Sequence, residues 1–214
     1  MTFPEKSPLI APALEEQLKT LFARLTSQVE LTAILGDDDK SREMGSFLCH
    51  LSTLSPLLRL RLLAPGEDAA LDEALDASLL PATAVGGMRM VFHGVPGGKE
   101  ITAFAGAILN AGQAAKALDR FTLRDIARIK TPMKLQVCVS LSCQHCAQLV
   151  LHAQRIAWEN ELVTAHMIDA NLYPELVKAL KLERVPLTVV NGTRQFPGGK
   201  TMAELTTLLA KYRP

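Results

Sequence analysis

Two stretches about a hundred residues apart repeat one another, and this self-similarity constrains the fold more than any other feature of the 214 residues. The first reads Pro96-Gly-Gly-Lys-Glu-Ile101, followed by Phe104 and Ile108; the second reads Pro197-Gly-Gly-Lys-Thr-Met202, followed by Leu205 and Leu209. Each places a Gly-Gly turn before apolar residues at helical spacing. Each also follows a short apolar run and a turn, Met90-Val-Phe-His-Gly94 and Val189-Val-Asn-Gly192. The match extends upstream. A helical pattern at Leu14, Leu18, Leu21, Phe22 and Leu25 precedes the strand-like Val29–Leu35, and one at Leu123, Ile126 and Ile129 precedes Met133–Ser140. A unit this long is no solenoid repeat, so the chain reads as two copies of one small α/β domain, 1–115 and 116–214.

In the second copy the patterns predict strands at about 133–140, 162–168, 187–190 and 193–196, and helices at about 122–130, 143–157, 173–181 and 201–212. Thr122 with Asp125 and Thr201 with Glu204 read as capping boxes. Asn191-Gly192 is a hairpin turn signal. A βαβ unit followed by a hairpin and a helix is the thioredoxin arrangement. The first copy reads similarly, with residues 66–87 ambiguous.

Composition narrows the function. Twenty-three basic and twenty-two acidic residues leave a formal charge of +1 with no basic stripe, which argues against nucleic acid and anionic membranes as partners. No apolar run is long enough to span a bilayer. The N-terminus lacks the pattern of a secretory signal, so a cytoplasmic location is expected.

Of four cysteines, Cys143-Gln-His-Cys146 has C-x-x-C spacing, which suggests redox chemistry or a metal. A structural zinc site needs four ligands, and no second pair completes one; metal storage remains a rival reading, with bound zinc as its test. Cys138 lies on a predicted strand and Cys49 on a helix with Met44, Phe47 and Leu48, both as core residues. The expected helix opens with Ser142 as N-cap and Cys143 at its first position. Unpaired N–H groups and the helix dipole there favour an anion. Lowering a thiol pKa from about 8.5 by about 2 units corresponds to roughly 2.7 kcal/mol and raises the thiolate fraction at pH 7 from about 3% to about 75%. Cys143 is then expected to attack a partner disulfide and Cys146 to resolve the mixed disulfide. His145, if protonated, would stabilise the Cys143 thiolate; equally it is a solvated loop residue. Gln144 is expected at the contact surface. Val185-Pro186 stands directly before a strand, where proline is ordinary punctuation or, in thioredoxin-like proteins, a cis residue facing the dithiol.

With these residues in place, the chain resembles the N-terminal domain of the alkyl hydroperoxide reductase flavoprotein subunit, a tandem pair of thioredoxin-like units of which the second keeps the dithiol. The likeness rests on LKTLFARLTSQVELTAIL (Leu18 to Leu35), on Ser140-Leu-Ser-Cys143 with Cys146, and on Val185-Pro186 with Val190-Asn-Gly192. It implies a thiol–disulfide oxidoreductase that takes electrons from a flavin-dependent disulfide reductase and passes them to a peroxiredoxin or another protein disulfide. No G-x-G-x-x-G fingerprint is present, so no bound cofactor is expected beyond the redox-active disulfide, and the flavoprotein reductase is expected to be separate. The family also has a glutamate near its dithiol, which Glu100 matches; a plain helix-start carboxylate is the alternative. Internal alignment sets Asp38 opposite Cys143, Ser41 opposite Cys146 and Met88 opposite Pro186, so the first unit is expected to lack both thiols and the proline. His145 also leaves open a disulfide oxidase or isomerase, and a thioredoxin-shaped binding module without chemistry is the non-enzymatic alternative.

Overall fold

The computed structural model describes residues 3–4 and 6–212. Its elements run α1 (Pro12–Phe22), β1 (Val29–Ile34), α2 (Asp39–Ser52), β2 (Leu58–Leu63), α3 (Ala69–Leu75), β3 (Ala82–Val85), β4 (Met90–His93), a 3₁₀ turn (Gly98–Glu100) and α4 (Ile101–Ala111). They continue with α5 (Arg120–Ile126), β5 (Met133–Val139), α6 (Cys146–Glu159), β6 (Val163–Asp169), α7 (Pro174–Ala179), β7 (Leu187–Val190), β8 (Arg194–Pro197) and α8 (Met202–Lys211). All eight strands form one mixed sheet in the order β2-β1-β3-β4-β6-β5-β7-β8. Its two four-stranded halves have the same plan: a parallel pair, then an antiparallel strand, then a hairpin partner. These are two tandem thioredoxin-like units, fused into one sheet where β4 pairs in parallel with β6, from Met90 beside Ala165 to His93 beside Ile168.

Local chemistry explains most boundaries. In α6 the apolar positions Leu149, Val150, Ala153, Ile156 and Ala157 fall on one face and are all buried. Asn160 ends that helix in an extended conformation, and its amide donates to the carbonyls of Ile126 and Ile129, fastening the end of α5. Thr201 and Glu204 make the reciprocal capping box at the start of α8. Asn191 and Gly192 both take positive φ, 50° and 69°, in the β7–β8 turn, as a primed hairpin turn requires. α5 differs from expectation. Its cap is Asp119, whose carboxylate accepts the N–H groups of Phe121 and Thr122, so Thr122 lies inside the helix and makes no capping box with Asp125.

One apolar core spans both halves. Phe104 on α4 meets Phe47 and Phe92 edge-on, with ring centroids 5.8 and 4.7 Å apart. Each such aromatic contributes about 1.5–3 kcal/mol through burial. α4 also crosses α6 closely: a Cβ on Gly106 would sit 2.2 Å from Leu151 Cδ2. Leu151 and Trp158, which form a second stripe on α6, are thereby packed against α4 and the corner at Gly86. Polar groups also cross the seam. Buried His93 and His166 stack 5.2 Å apart and share an Nε2···Nδ1 hydrogen bond of 2.9 Å, while His93 Nδ1 meets the Leu79 carbonyl at 2.7 Å. Burial pushes the His93 pKa down to about 4, outweighing the Leu79 bond, and burial and His93 lower that of His166.

Candidate active site

Cys143 and Cys146 are joined by a disulfide, with their Cα atoms 5.5 Å apart. They sit between the end of β5 and the start of α6, at the C-terminal end of a parallel strand pair. Cys146 is the first residue of α6 and has no solvent exposure; Cys143 is half-buried, so the pair has an inner and an outer sulfur. The helix starts later than its sequence suggests. Cys143 donates its N–H to the Ser140 carbonyl at 2.9 Å, which closes a turn ahead of the helix and keeps Cys143 out of its first turn. Ser142 is therefore not the cap: it is exposed, and its hydroxyl lies 3.2 Å from that of Ser140. The cap position falls to His145, which makes no side-chain capping bond. The early N–H groups of α6 thus lack a side-chain acceptor, beside the disulfide.

Gln144 and His145 are exposed. The Val185–Pro186 peptide is cis and leads into β7. Because β7 runs antiparallel to β5, with Leu187 beside Cys138, its start lies at the sheet end that carries the disulfide. Val185 and Cys143 border the same apolar core. The Pro186 carbonyl accepts the Gly198 N–H at 2.9 Å, and a Cβ on neighbouring Gly199 would lie 3.8 Å from His145 Cβ. The other Gly-Gly turn approaches from the first unit. Lys99 donates to the Leu141 carbonyl at 3.4 Å, and a Cβ on Gly98 would meet that oxygen at 2.7 Å. The two repeated turns therefore flank the cysteine loop. Cys138 is a buried core thiol whose pKa burial pushes up to about 11, and Cys49 is half-buried with its thiol also raised by burial.

Glu100 ends the 3₁₀ turn that packs against α6. It has no solvent exposure, and neither carboxylate oxygen has a hydrogen-bond partner among the described residues. Burial, and then the negative charge of Asp169, raise its pKa to about 7. A helix-start acid would be solvated with a lowered pKa, so this environment is of another kind.

The first unit preserves more of the site plan than its sequence suggests. Ser41 and Cys146 are both wholly buried, and Met44, Leu48 and Leu51 follow Ser41 at the intervals at which Leu149, Ala153 and Ile156 follow Cys146. Where the second unit has its disulfide, the first has a hydrogen bond of 2.9 Å from Ser41 Oγ to Asp38 Oδ2. Asp38 also caps α2 by accepting from Lys40 and Ser41; these bonds outweigh its burial and lower its pKa. The proline is not lost. Leu80–Pro81 is cis and leads into β3, which occupies the place of β7, so Pro81 and not Met88 is the counterpart of Pro186. The alignment slips because Pro81 stands fifteen positions before Pro96 whereas Pro186 stands eleven before Pro197. A local signal does exist, Pro81-Ala-Thr-Ala-Val85 against Pro186-Leu-Thr-Val-Val190, with Thr83 and Thr188 both wholly buried.

A half-buried cysteine joined to a fully buried one, beside a cis-proline strand in a tandem thioredoxin-like sheet, defines a protein disulfide oxidoreductase of the thioredoxin type. The thioredoxin domain family model matches residues 133–210. The alkyl hydroperoxide reductase protein AhpF of Pseudomonas putida is 30% identical over 184 residues, which make up 86% of this chain and 34% of that one. The structure of the NTD_N/C domain of alkylhydroperoxide reductase AhpF from Enterococcus faecalis superposes with a TM-score of 0.87 at 30% identity, covering 93% of this chain and 99% of that one. The chain belongs to the family of that N-terminal domain. A protein disulfide oxidoreductase from Aeropyrum pernix shares the fold, with a TM-score of 0.85 at 19% identity. The chain spans about a third of the length of the curated relatives it matches.

Proposed function

We propose that Cys143 and Cys146 carry electrons from a flavin-dependent disulfide reductase to a peroxiredoxin or another protein disulfide. Residues 116–214 form the redox-active unit and 1–115 the degenerate one. The observation that carries this reading is the disulfide itself, with Cys143 half-buried and Cys146 fully buried at the uncapped start of α6. The peroxide side of the proposal rests on the hydroperoxide reductase proteins that the chain resembles.

In the reduced protein the Cys143 thiolate attacks one sulfur of the partner disulfide. A mixed disulfide forms, and the partner's other sulfur leaves as a thiolate that takes up a proton. The Cys146 thiol then gives up its proton, and its sulfur attacks Cys143, restoring the Cys143–Cys146 disulfide and releasing the second partner thiol. Two electrons pass to the partner, together with the Cys146 proton and one proton from solvent. Glu100, with a pKa near neutrality, is the group that accepts and returns the Cys146 proton. The backbone of Val185, before cis-Pro186, pairs with the partner chain, Gln144 and Ser142 contact it, and His145 favours the Cys143 thiolate when protonated.

The test is capture. Cys146→Ser, reduced and mixed with cell extract, is expected to hold a partner through Cys143, with release by dithiothreitol. If no adduct forms on this variant while the Cys143 thiol is free and alkylatable, the proposal fails.

A further inference from the structure

His152, on α6 six residues after Cys146, has no place in the mechanism above, yet both of its ring nitrogens are engaged. Nδ1 lies 3.0 Å from the Lys200 carbonyl, and Nε2 lies 2.8 Å from the side-chain amide nitrogen of Gln148. A carbonyl can only accept, so Nδ1 carries the ring hydrogen and Nε2 accepts from Gln148. Lys200 closes the Gly-Gly turn between β8 and α8. That turn touches the exchange site twice. The Gly198 N–H donates to the Pro186 carbonyl at 2.9 Å, and a Cβ on Gly199 would lie 3.8 Å from His145 Cβ. The Lys200 ammonium donates back to the Pro197 and Gly198 carbonyls at 2.6 and 3.2 Å, folding the turn on itself. His152 is therefore a polar tie between the helix that carries Cys146 and the turn that braces cis-Pro186. The matching place in the first unit, six residues after Ser41, holds Phe47, buried edge-on to Phe104. There the Gly-Gly turn reaches across to the Leu141 carbonyl instead. The polar tie stands in the unit with the dithiol, and an apolar contact in the unit without it.

We infer that His152 is a positioning residue of the exchange reaction: through the Lys200 carbonyl it holds the Gly-Gly turn against cis-Pro186, and so fixes the strip of backbone on which a partner chain lies. This inference rests on the dithiol exchange proposed above. His152 does not touch the sulfurs. Its effect is felt by a partner polypeptide lying along Val185 and Pro186, and not by a small disulfide that reaches Cys143 without using that strip.

The experiment compares the parent with His152→Phe, which takes the residue of the first unit and loses both hydrogen bonds, and with His152→Asn, whose amide nitrogen stands where the ring places Nδ1. Each full chain is reduced and mixed with insulin or, separately, with the small disulfide dithiobis(nitrobenzoate), and oxidation of the dithiol is timed. The rate with insulin is expected to fall about tenfold in His152→Phe, the worth of one hydrogen bond, and to return to within about twofold of the parent in His152→Asn. The rate with the small disulfide should stay within about twofold throughout. An unchanged insulin rate in His152→Phe, or an equal loss on both disulfides, overturns the inference. A parent that reacts with neither disulfide sinks the exchange reaction and this inference with it, whereas a reactive parent matched by His152→Phe on insulin sinks the inference alone. Should His152→Phe fail to fold, the parent decides: nitrogen-15 NMR must show the His152 hydrogen on Nδ1, and a hydrogen on Nε2 overturns the inference equally.

Discussion

Replacing Glu100 with Gln should stabilise the oxidised protein, and by an amount that grows with pH. The folded-state pKa is raised from the usual 4.5 to about 7. Below pH 4.5 the carboxyl is protonated whether the chain is folded or not, and it imposes no pH-dependent cost. Between 4.5 and 7 the unfolded chain releases the proton while the folded chain holds it, so stability falls as pH rises; above 7 the loss is complete. Linkage between those two values puts the loss at about 1 kcal/mol at pH 5 and about 3 kcal/mol at pH 8. Glu100 is fully buried, so solvent screening does not reduce these figures. Glutamine has no such dependence. Its amide faces the same pocket without partners, but that cost is constant with pH and cancels on subtraction. Guanidinium unfolding of both proteins at pH 5 and pH 8, at one ionic strength, should therefore show the advantage of Glu100→Gln growing by about 2 kcal/mol. An advantage that is flat with pH, or that shrinks, would refute burial of the Glu100 carboxyl as the main origin of the shift.

The seam histidines predict the opposite slope. His93 has a folded pKa of about 4 against the usual 6.5, so its contribution to stability is complete above pH 6.5 and is lost as pH falls toward 4. About 2 kcal/mol should be gone at pH 5, and His93→Asn should lose correspondingly less stability than the parent between pH 7 and pH 5; equal losses would contradict this. Gly86→Ala should cost about 1–3 kcal/mol by thermal or chemical unfolding, because φ is +63° and the new methyl would lie 2.2 Å from Ala111 Cβ. Gly66→Ala, with φ +88° but nothing within 4 Å, should lose only what backbone strain costs, about 1 kcal/mol, and similar losses at the two sites would count against the packing described.

What is legible in the sequence is what local physics decides. The apolar periodicity of α6, the Thr201–Glu204 box and the Asn191-Gly192 turn each act within a few residues, and each is found in place. The start of α6 is not legible in this way because two local options compete. Ser142 is a good capping residue, but the turn from Cys143 N–H to the Ser140 carbonyl forms instead. Asp119 likewise displaces Thr122 as the cap of α5. Pro81 is hidden by unequal connections, four residues longer in the first unit between the cis-proline and the Gly-Gly turn. The parallel pairing of β4 with β6 has no sequence signature, since it joins segments some seventy residues apart. Glu100 is buried where its 3₁₀ turn packs against α6 of the other unit, so a carboxyl in a dry seam and one at a solvated helix start look alike in the sequence.

The two units have diverged in a way that the seam helps to explain. In the proposed mechanism the backbone before cis-Pro186 is the surface on which a partner chain lies. The corresponding backbone of the first unit is already engaged: the Tyr173 hydroxyl, from the loop before α7, donates to the Leu80 carbonyl at 3.1 Å, directly before cis-Pro81, and to Leu79 at 3.3 Å. Tyr173 thus occupies the acceptor that a partner would need. With that face covered, a thiol pair at positions 38 and 41 would have no route to a substrate, and the Asp38–Ser41 hydrogen bond suffices to hold the start of α2. Fusion of the sheets through β4 and β6 brings Tyr173 of the second unit onto the cis-proline face of the first.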